Sequence, residues 1–216
     1  MSYKKTKNHP CKIANEGTQK QFVKKLKRLQ KKCKKEKCAM IFFDPVHQIH
    51  NSDNREAWQF KGKNGTKKIK TNTGRRRINI IGGINPITMK TTTIITEDNC
   101  DKTVVVSYLE KLRKEYPTRK KIYMILDNAS YNRARMVREK AKQCNIQLVY
   151  LPPYSPNLNL IERLWKFFKK KITRNKYYGL FDDFSKTIEI FFENIHGMMD
   201  ELKTLLTFKF GIIKAI

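Results

Sequence analysis

Two short runs constrain this chain more than anything else in it. AMIFFD (39–44) and KIYMILD (121–127) are apolar almost throughout, and each ends on an aspartate. A strand that is apolar on both of its alternating faces belongs in the middle of a sheet, covered from above and below. An acid at the end of such a strand stands where the sheet opens to solvent, which is where ligand sites of open α/β sheets collect. Asp44 and Asp127 are therefore the first candidate site residues.

The surrounding pattern extends the sheet. RRINIIGGI (76–84) and TMKTTTIIT (88–96) read as strands, and WQFKGKNGTKKIKT (58–71) reads as a strand hairpin turning at its Gly and Asn residues. The second half alternates. Residues 101–115 show helical spacing, with Val104, Val105, Tyr108, Leu109 and Leu112 on one side. Helices are expected over 131–143, 158–173 and 181–195, and a strand over IQLVYL (146–151). PPYSPN (152–157) is excluded from a helix by its prolines. The expected fold class is α/β: a mixed sheet in which an antiparallel meander is followed by β-α-β-α, with helices on both faces.

Residues 1–38 have another texture, with 14 Lys/Arg and only Glu16 and Glu36 as acids. Within 19–37, Phe22, Val23, Leu26, Leu29 and Cys33 recur at helical spacing. This basic linker or helix could dock on the core, bind DNA or end an inter-domain linker. The expected division is a basic N-terminal segment at 1–38, a catalytic-type domain at 39–196 and a C-terminal tail of unassigned role at 197–216.

Charge narrows the partner. Lys plus Arg number 47 against 19 Asp plus Glu, and 47 − 19 = +28. Such a surplus repels itself, and a polyanion that releases counterions on binding relieves it. Nucleic acid is the expected partner. There is neither a lipidation signal nor a run of 18 apolar residues, so a membrane is not expected. Cys11, Cys33, Cys38, Cys100 and Cys144 form no CxxC, and MSYKKTKNHP is not a secretory leader. The chain reads as a cytoplasmic, nucleoid-associated protein with reduced thiols.

A third acid joins the first two. On a helix over 158–173, with Leu158 at 0°, Leu164, Phe168, Ile161, Ile172 and Trp165 fall between about 240° and 340°, and Glu162 falls at about 40°. The glutamate sits where the buried stripe meets solvent, with Lys169 and Lys166 near it at about 20° and 80°. Three carboxylates brought together would repel, and one would take up a proton. Hard divalent ions resolve the conflict. Mg²⁺, with Mn²⁺ as a substitute, takes carboxylate oxygen, and two such ions suit phosphodiester chemistry.

The segments around these acids are more specific than their positions. LDNASYNRA (126–134) leads to LPPYSPNLNLIERLWKFFKKK (151–171), with 162 − 127 − 1 = 34 residues between Asp127 and Glu162. This resembles the DDE transposases of the mariner-like superfamily, in particular the bacterial insertion sequence 630 family. FFDPVHQIHN (42–51), Trp58 with Gly62, and GRRRINIIGGIN (74–85) are similar to that family's first three strands. The likeness covers about residues 39–195. It implies an RNase H-like fold and a two-metal site from Asp44, Asp127 and Glu162. It also implies cutting and strand transfer of a DNA element, and a homodimer on element ends and target DNA. Family members usually carry helix-turn-helix domains before this core. SYKKTKNHPCKIANEGTQKQF (2–22) instead looks like the linker upstream of it, so a separately encoded helix-turn-helix half is an expected partner. An RNase H-fold nuclease, or a non-catalytic DNA-binding copy, are the alternative readings.

Lesser features fill in the expected DNA surface. His47 reads as a DNA contact or a neighbour of the metal site, or as plain loop packing; an HxxH…D metal site from His47, His50 and Asp53 is disfavoured. Asn128 either touches a phosphate or starts a turn. Tyr154 and Ser155 are DNA contacts or parts of a structural turn in which Ser155 or Asn157 caps the following helix. Trp58 starts a strand near a basic hairpin; Lys61, Lys63, Lys67, Lys68, Lys70, Arg75, Arg76 and Arg77 form an acid-free basic cluster, and Lys166 and Lys169 belong to a second. Such contacts position a duplex without reading its sequence. Trp165, Phe167 and Phe168 read as core.

Overall fold

The computed structural model describes residues 15–56, 58–62 and 65–214. Cys11, Lys63 and most of the linker-like lead-in lie outside the described residues. One five-stranded sheet organises the chain, in the order β3-β2-β1-β4-β5. β1 (Cys38–Ile49), β2 (Arg77–Ile84) and β3 (Thr91–Thr96) form the antiparallel meander, and β4 (Lys121–Leu126) and β5 (Ile146–Tyr150) run parallel to β1. Six α-helices lie among the described residues: α1 (Glu16–Lys35), α2 (Lys102–Glu115), α3 (Arg135–Gln143), α4 (Ile161–Ile172), α5 (Phe181–Glu193) and α6 (Met199–Leu205).

Alternation along β1 divides the core in two. Met40, Phe42 and Val46 pack with α1, α4 and α5 through Leu26, Leu164, Trp165 and Phe184. Ala39, Ile41 and Phe43 pack on the other face with Val105, Tyr108 and Leu109 of α2 and Val137 of α3. Both faces are covered, as a two-sided apolar strand requires. Packing also crosses both boundaries drawn from the sequence. Phe22 and Leu26 of α1, and Leu202 and Leu206 near the C-terminus, belong to the same cluster as β1 and α4.

Several details differ from the sequence reading. Residues 58–71 form no strand among those described; Gly65 N–H donates to Gly62 O at 3.0 Å in the expected turn and Lys67 N–H to Gln59 Oε1 at 2.5 Å, but no backbone ladder forms among the described residues. The physical reason is that the segment has no face to bury. Trp58 and Phe60 are both exposed, at 104% and 92%. β1 does not stop at Asp44 but runs five residues further against β2. There it has only one neighbour, an edge position where the missing N–H of Pro45 is tolerated. The helix expected over 131–143 is broken at Ala134, which is extended (φ −57°, ψ 145°), with a 3₁₀ turn at Tyr131–Arg133 before α3.

Candidate active site

The cavity that holds the three acids follows from a split in the sheet. β1 and β4 pair in parallel as far as Phe42 with Ile125. Two residues further on come Asp44 and Asp127, on the same alternation as Phe42 and Ile125, which belong to the α4-side core. β4 ends at Leu126 while β1 continues with β2, so the two strands part there. Leu151 N–H takes the carbonyl of Leu126 at 2.8 Å. The chain then passes through Pro152–Ser155, a 3₁₀ turn at Pro156–Leu158, and into α4. That path brings Glu162, in the first turn of α4, over the strand ends. Asp44, Asp127 and Glu162 line one cavity of about 400 Å³ with Asn128, Tyr154 and Asn159.

The position of α4 rests on a glycine. Gly82 of β2 is the partner of Asp44. A Cβ at Gly82 would lie 2.5 Å from Trp165 Cη2, so only glycine lets the indole press onto the sheet beside Asp44. The Trp165 Nε1–H is buried and makes no hydrogen bond of proper geometry, yet its dipole favours the charged form of Asp44. That help is outweighed. Burial, then the charges of Glu162 and Asp127, push the Asp44 carboxyl up to about 8. Glu162 is raised too by burial, against the lowering pull of Lys166 and Lys169.

Two asparagines that the sequence reading passed over hold this geometry. Asn132 Nδ2–H donates to Asp127 Oδ1 at 2.7 Å, joined by Ala129 N–H at 3.1 Å. The break before α3 is what turns Asn132 toward the strand end. Asn159 is 3% exposed and donates Nδ2–H to the Phe43 carbonyl at 3.1 Å, beside Asp44. Cys100 and Tyr131 are near enough for Asp44 and Asp127 to add to the upward shift that burial gives each of them. Tyr131, Asn132 and Asn159 lie inside the two runs 126–134 and 151–171, but no spacing singles them out there, because Asn and Tyr in loops are common for other reasons; Cys100 lies in neither run.

The remaining candidates divide. Asn128 donates to Leu151 O at 2.6 Å while lining the cavity. Tyr154 is exposed at the rim in a left-handed conformation (φ 54°). Ser155 is buried and donates to Pro153 O at 3.2 Å. Neither Ser155 nor Asn157 caps the helix; Asn157 Nδ2 is committed to Gln19 Oε1 and the Gly211 carbonyl. Lys166 and Lys169 stand by Glu162, as the wheel predicts. His47 falls on the other face of β1 from Asp44 and bonds Asn79 Oδ1 at 2.5 Å. His50 is spent on the Tyr178 carbonyl at 2.8 Å and Asp53 on Arg55, so HxxH…D gathers no metal site. Trp58 and Lys67 line a separate cavity of about 780 Å³ that contains no acid, and Lys68 lines a third. Arg75 is exposed. Arg76 is not in acid-free surroundings: it pairs with Glu97 at 3.0 Å and stacks on Phe181 at 3.5 Å.

The donor set is chemically suited to hard cations, since all three ligand candidates are carboxylates and the innermost is pushed up first by burial and then by the charges of the other two. Among the described residues, no group of three or more His, Cys, Asp and Glu closes on a single ion.

Comparison with known proteins places this architecture. The family model for the DDE superfamily endonuclease matches residues 39–185. An insertion element IS630 uncharacterized 39 kDa protein of Shigella sonnei is 26% identical over 157 residues, covering 72% of this chain and 45% of that protein. The uncharacterized protein y4pE/y4sA of Sinorhizobium fredii is 31% identical over 85 residues, 39% of this chain and 60% of that one. The chain thus spans about half the length of these relatives. Among solved structures, the Mos1 transposase catalytic domain with raltegravir and Mg is similar at TM-score 0.56 and 13% identity, covering 92% of this chain and 96% of that one. The Mos1 mariner paired end complex with Mn is similar at TM-score 0.64 and 13% identity, covering 95% and 66%. The fold is the RNase H-like fold of those catalytic domains. With the family model covering β1 through the start of α5 and every candidate acid inside it, the chain belongs to the DDE superfamily endonucleases.

Proposed function

We propose that this chain is the catalytic domain of an insertion-sequence transposase that cuts DNA and joins the freed end to a target, using two Mg²⁺ or Mn²⁺ ions held by Asp44, Asp127 and Glu162. The observation that carries the reading is that three acids from three separate elements line one cavity where β1 and β4 part. When bound, the metal pair supplies charge neutralisation at the attacking and leaving oxygens of a phosphodiester. Asp44 lies between the other two acids in charge coupling and is the natural shared ligand. Asn132 and the Ala129 N–H fix Asp127 through one oxygen, leaving the other to bind. Lys166 and Lys169, one and two turns beyond Glu162, are placed to hold phosphates. No side chain is needed as a nucleophile. Water attacks phosphorus as the P–O3′ bond to the adjacent nucleotide of the same strand breaks; the water loses a proton, the leaving oxygen gains one, and a 5′-phosphate and a free 3′-hydroxyl result. That hydroxyl then attacks a target phosphorus, forming one P–O bond as another breaks. Alignment and charge do the catalysis.

The partner is double-stranded DNA, both as element ends and as target, bound as a homodimer at the nucleoid in the cytoplasm. Recognition of the ends falls to a helix-turn-helix unit of the kind the family likeness implies. Asp127→Asn is expected to abolish Mg²⁺-dependent nicking of a supercoiled plasmid while duplex binding persists; nicking at the wild-type rate by purified variant protein would reject the assignment. Product analysis separates a transposase from an RNase H-fold nuclease, because only the former leaves a labelled 3′ end covalently joined to new DNA.

A further inference from the structure

The helix α1 docks on the core by one face and leaves the opposite face unpartnered. Gln19, Phe22, Leu26 and Cys33 are buried. Lys24, Lys27, Arg28, Lys31, Lys34 and Lys35 are all exposed, and at 100° per residue they fall within an arc of about 120° opposite that buried face. None of the six has an ion-pair partner among the described residues. The two acids of this region are used at its ends, Glu16 by Lys20 at 2.7 Å and Glu36 by Lys32 at 3.9 Å. Lys25 and Lys32 lie outside the arc, against the rings of Phe22 and Tyr123. A solvated helix surface normally intersperses both signs, because like charges at i,i+4 and i,i+3 destabilise it. Here Lys24–Arg28, Lys27–Lys31, Lys31–Lys35 and Lys31–Lys34 all repel.

The location gives this stripe a direction. α1 packs in the same core cluster as Trp165 and Leu164 of α4, so it lies on the side of the sheet that carries Asp44 and Glu162. Its N-terminal end is tied to the active-site rim. Gln19 Oε1 accepts from Asn157 Nδ2 at 3.0 Å, in the turn between Pro156, which lines the cavity, and Glu162. From there the stripe runs toward the far end of the sheet, where β1 begins at Cys38. Lys24 to Lys35 spans 11 residues, about 17 Å of helix. A duplex presents a phosphate charge about every 1.7 Å of its axis, so roughly ten lie within that reach.

We infer that the outer face of α1 is a sequence-independent track for the phosphate backbone of duplex DNA, taking the arm of a duplex whose other part lies across the Asp44–Asp127–Glu162 cavity. The partner class rests on the DNA-cleaving reading, and the track itself on the charge pattern. Its role is to hold a flank in line with the site and not to choose the sequence, since lysine and arginine on phosphates carry no base information.

The test is duplex binding measured without metal, so that it is independent of catalysis. Lys24→Gln, Lys27→Gln, Lys31→Gln and Lys34→Gln are combined in one variant, because glutamine keeps helix propensity close to that of lysine. A control carries the same charge change on the opposite face of the sheet: Lys102→Gln, Lys114→Gln, Arg138→Gln and Lys142→Gln, all exposed. For a random 30-base-pair duplex, the α1 variant is expected to flatten the plot of log K against log salt by about three to four units, near 0.9 per lost contact. It should bind at least tenfold more weakly than the control in moderate salt, with an unchanged circular dichroism spectrum and a Tm no lower than that of the wild type, since the substitutions relieve like-charge repulsion. Equal weakening of both variants would mean that only net charge matters and would overturn the track. Tighter wild-type binding to anionic vesicles than to duplex, lost in the α1 variant, would assign the face to a membrane and overturn it as well. If the wild type fails to nick DNA in Mg²⁺ but the two variants still differ in binding, the catalytic reading fails and the track stands.

Discussion

At the scale of single residues, the site is a problem of crowded negative charge that the fold leaves unsolved without cations. Asp44 is held up to about 8 by burial and by Glu162 and Asp127, far above its ordinary value of 3.8. In the unfolded chain it ionises near that ordinary value, so the folded state keeps a proton that the unfolded state has lost. Metal-free stability contributed by this group is therefore present at pH 4 and is lost as pH rises toward 8. Asp44→Asn removes the dependence: in chelator it should raise Tm at pH 8.5 and change it little at pH 4.5. A gain that is the same at both values would show that Asp44 is not the group responsible. Gly82→Ala tests the other residue on which the geometry turns. The added Cβ would meet Trp165 at 2.5 Å, so a loss of about 1–3 kcal/mol in denaturant unfolding is expected, as for other overpacked sites. Trp165→Phe in the same chain should recover part of it.

At the scale of elements, α4 is the part whose placement matters most, and the C-terminal segment braces it. Arg163, next to Glu162, donates to the carbonyls of Leu205 at 3.0 Å, Thr207 at 2.8 Å and Lys209, and stacks near Phe210. Gln19 donates to the Ile213 carbonyl at 2.8 Å, and Asn157 to that of Gly211 at 2.8 Å. Residues 205–213, part of the 197–216 tail that the sequence leaves without a role, thus lock the start of α4 to α1. Arg163→Ala strips several carbonyls of a charged donor and is expected to cost about 1.5–3 kcal/mol, read from urea unfolding. It should also loosen residues 205–213 to hydrogen exchange before the sheet loosens. Exchange that rises in β1 and β4 first would contradict the bracing. The elements themselves are largely legible from pattern, since β2 to β5 and α2, α4 and α5 rest on runs of apolar residues with a clear period. The exception is 58–71, where Gly62 and its neighbours mark a turn but Trp58 and Phe60 find nothing to pack against.

At the scale of the whole molecule, a formal charge of +28 makes the folded state self-repelling. Raising NaCl from roughly 20 to 300 mM should therefore raise the Tm of the free protein while weakening its hold on DNA, because the same screening acts on both. A Tm that falls over this range would exclude self-repulsion as the dominant charge effect. Mg²⁺ adds a local version: at about 100 times its Kd one ion stabilises by about 2.7 kcal/mol, a gain that Asp127→Asn should lose. The sheet, the two-sided burial of β1 and β4, the basic character and the three candidate acids are legible in the order of residues alone. These are local or compositional properties, and periodicity and charge record them directly. Packing in three dimensions adds that β1 runs on past Asp44 while β4 stops at Leu126. It adds as well that Gly82 admits Trp165, that Asn132 and Asn159 steady the strand ends, and that α1 and the C-terminal segment belong to the core around α4. Most of those facts depend on which surfaces meet between distant parts of the chain, such as Gly82 with Trp165, Asn159 with Phe43 and Gln19 with Ile213, and no spacing along the sequence encodes a meeting of that kind.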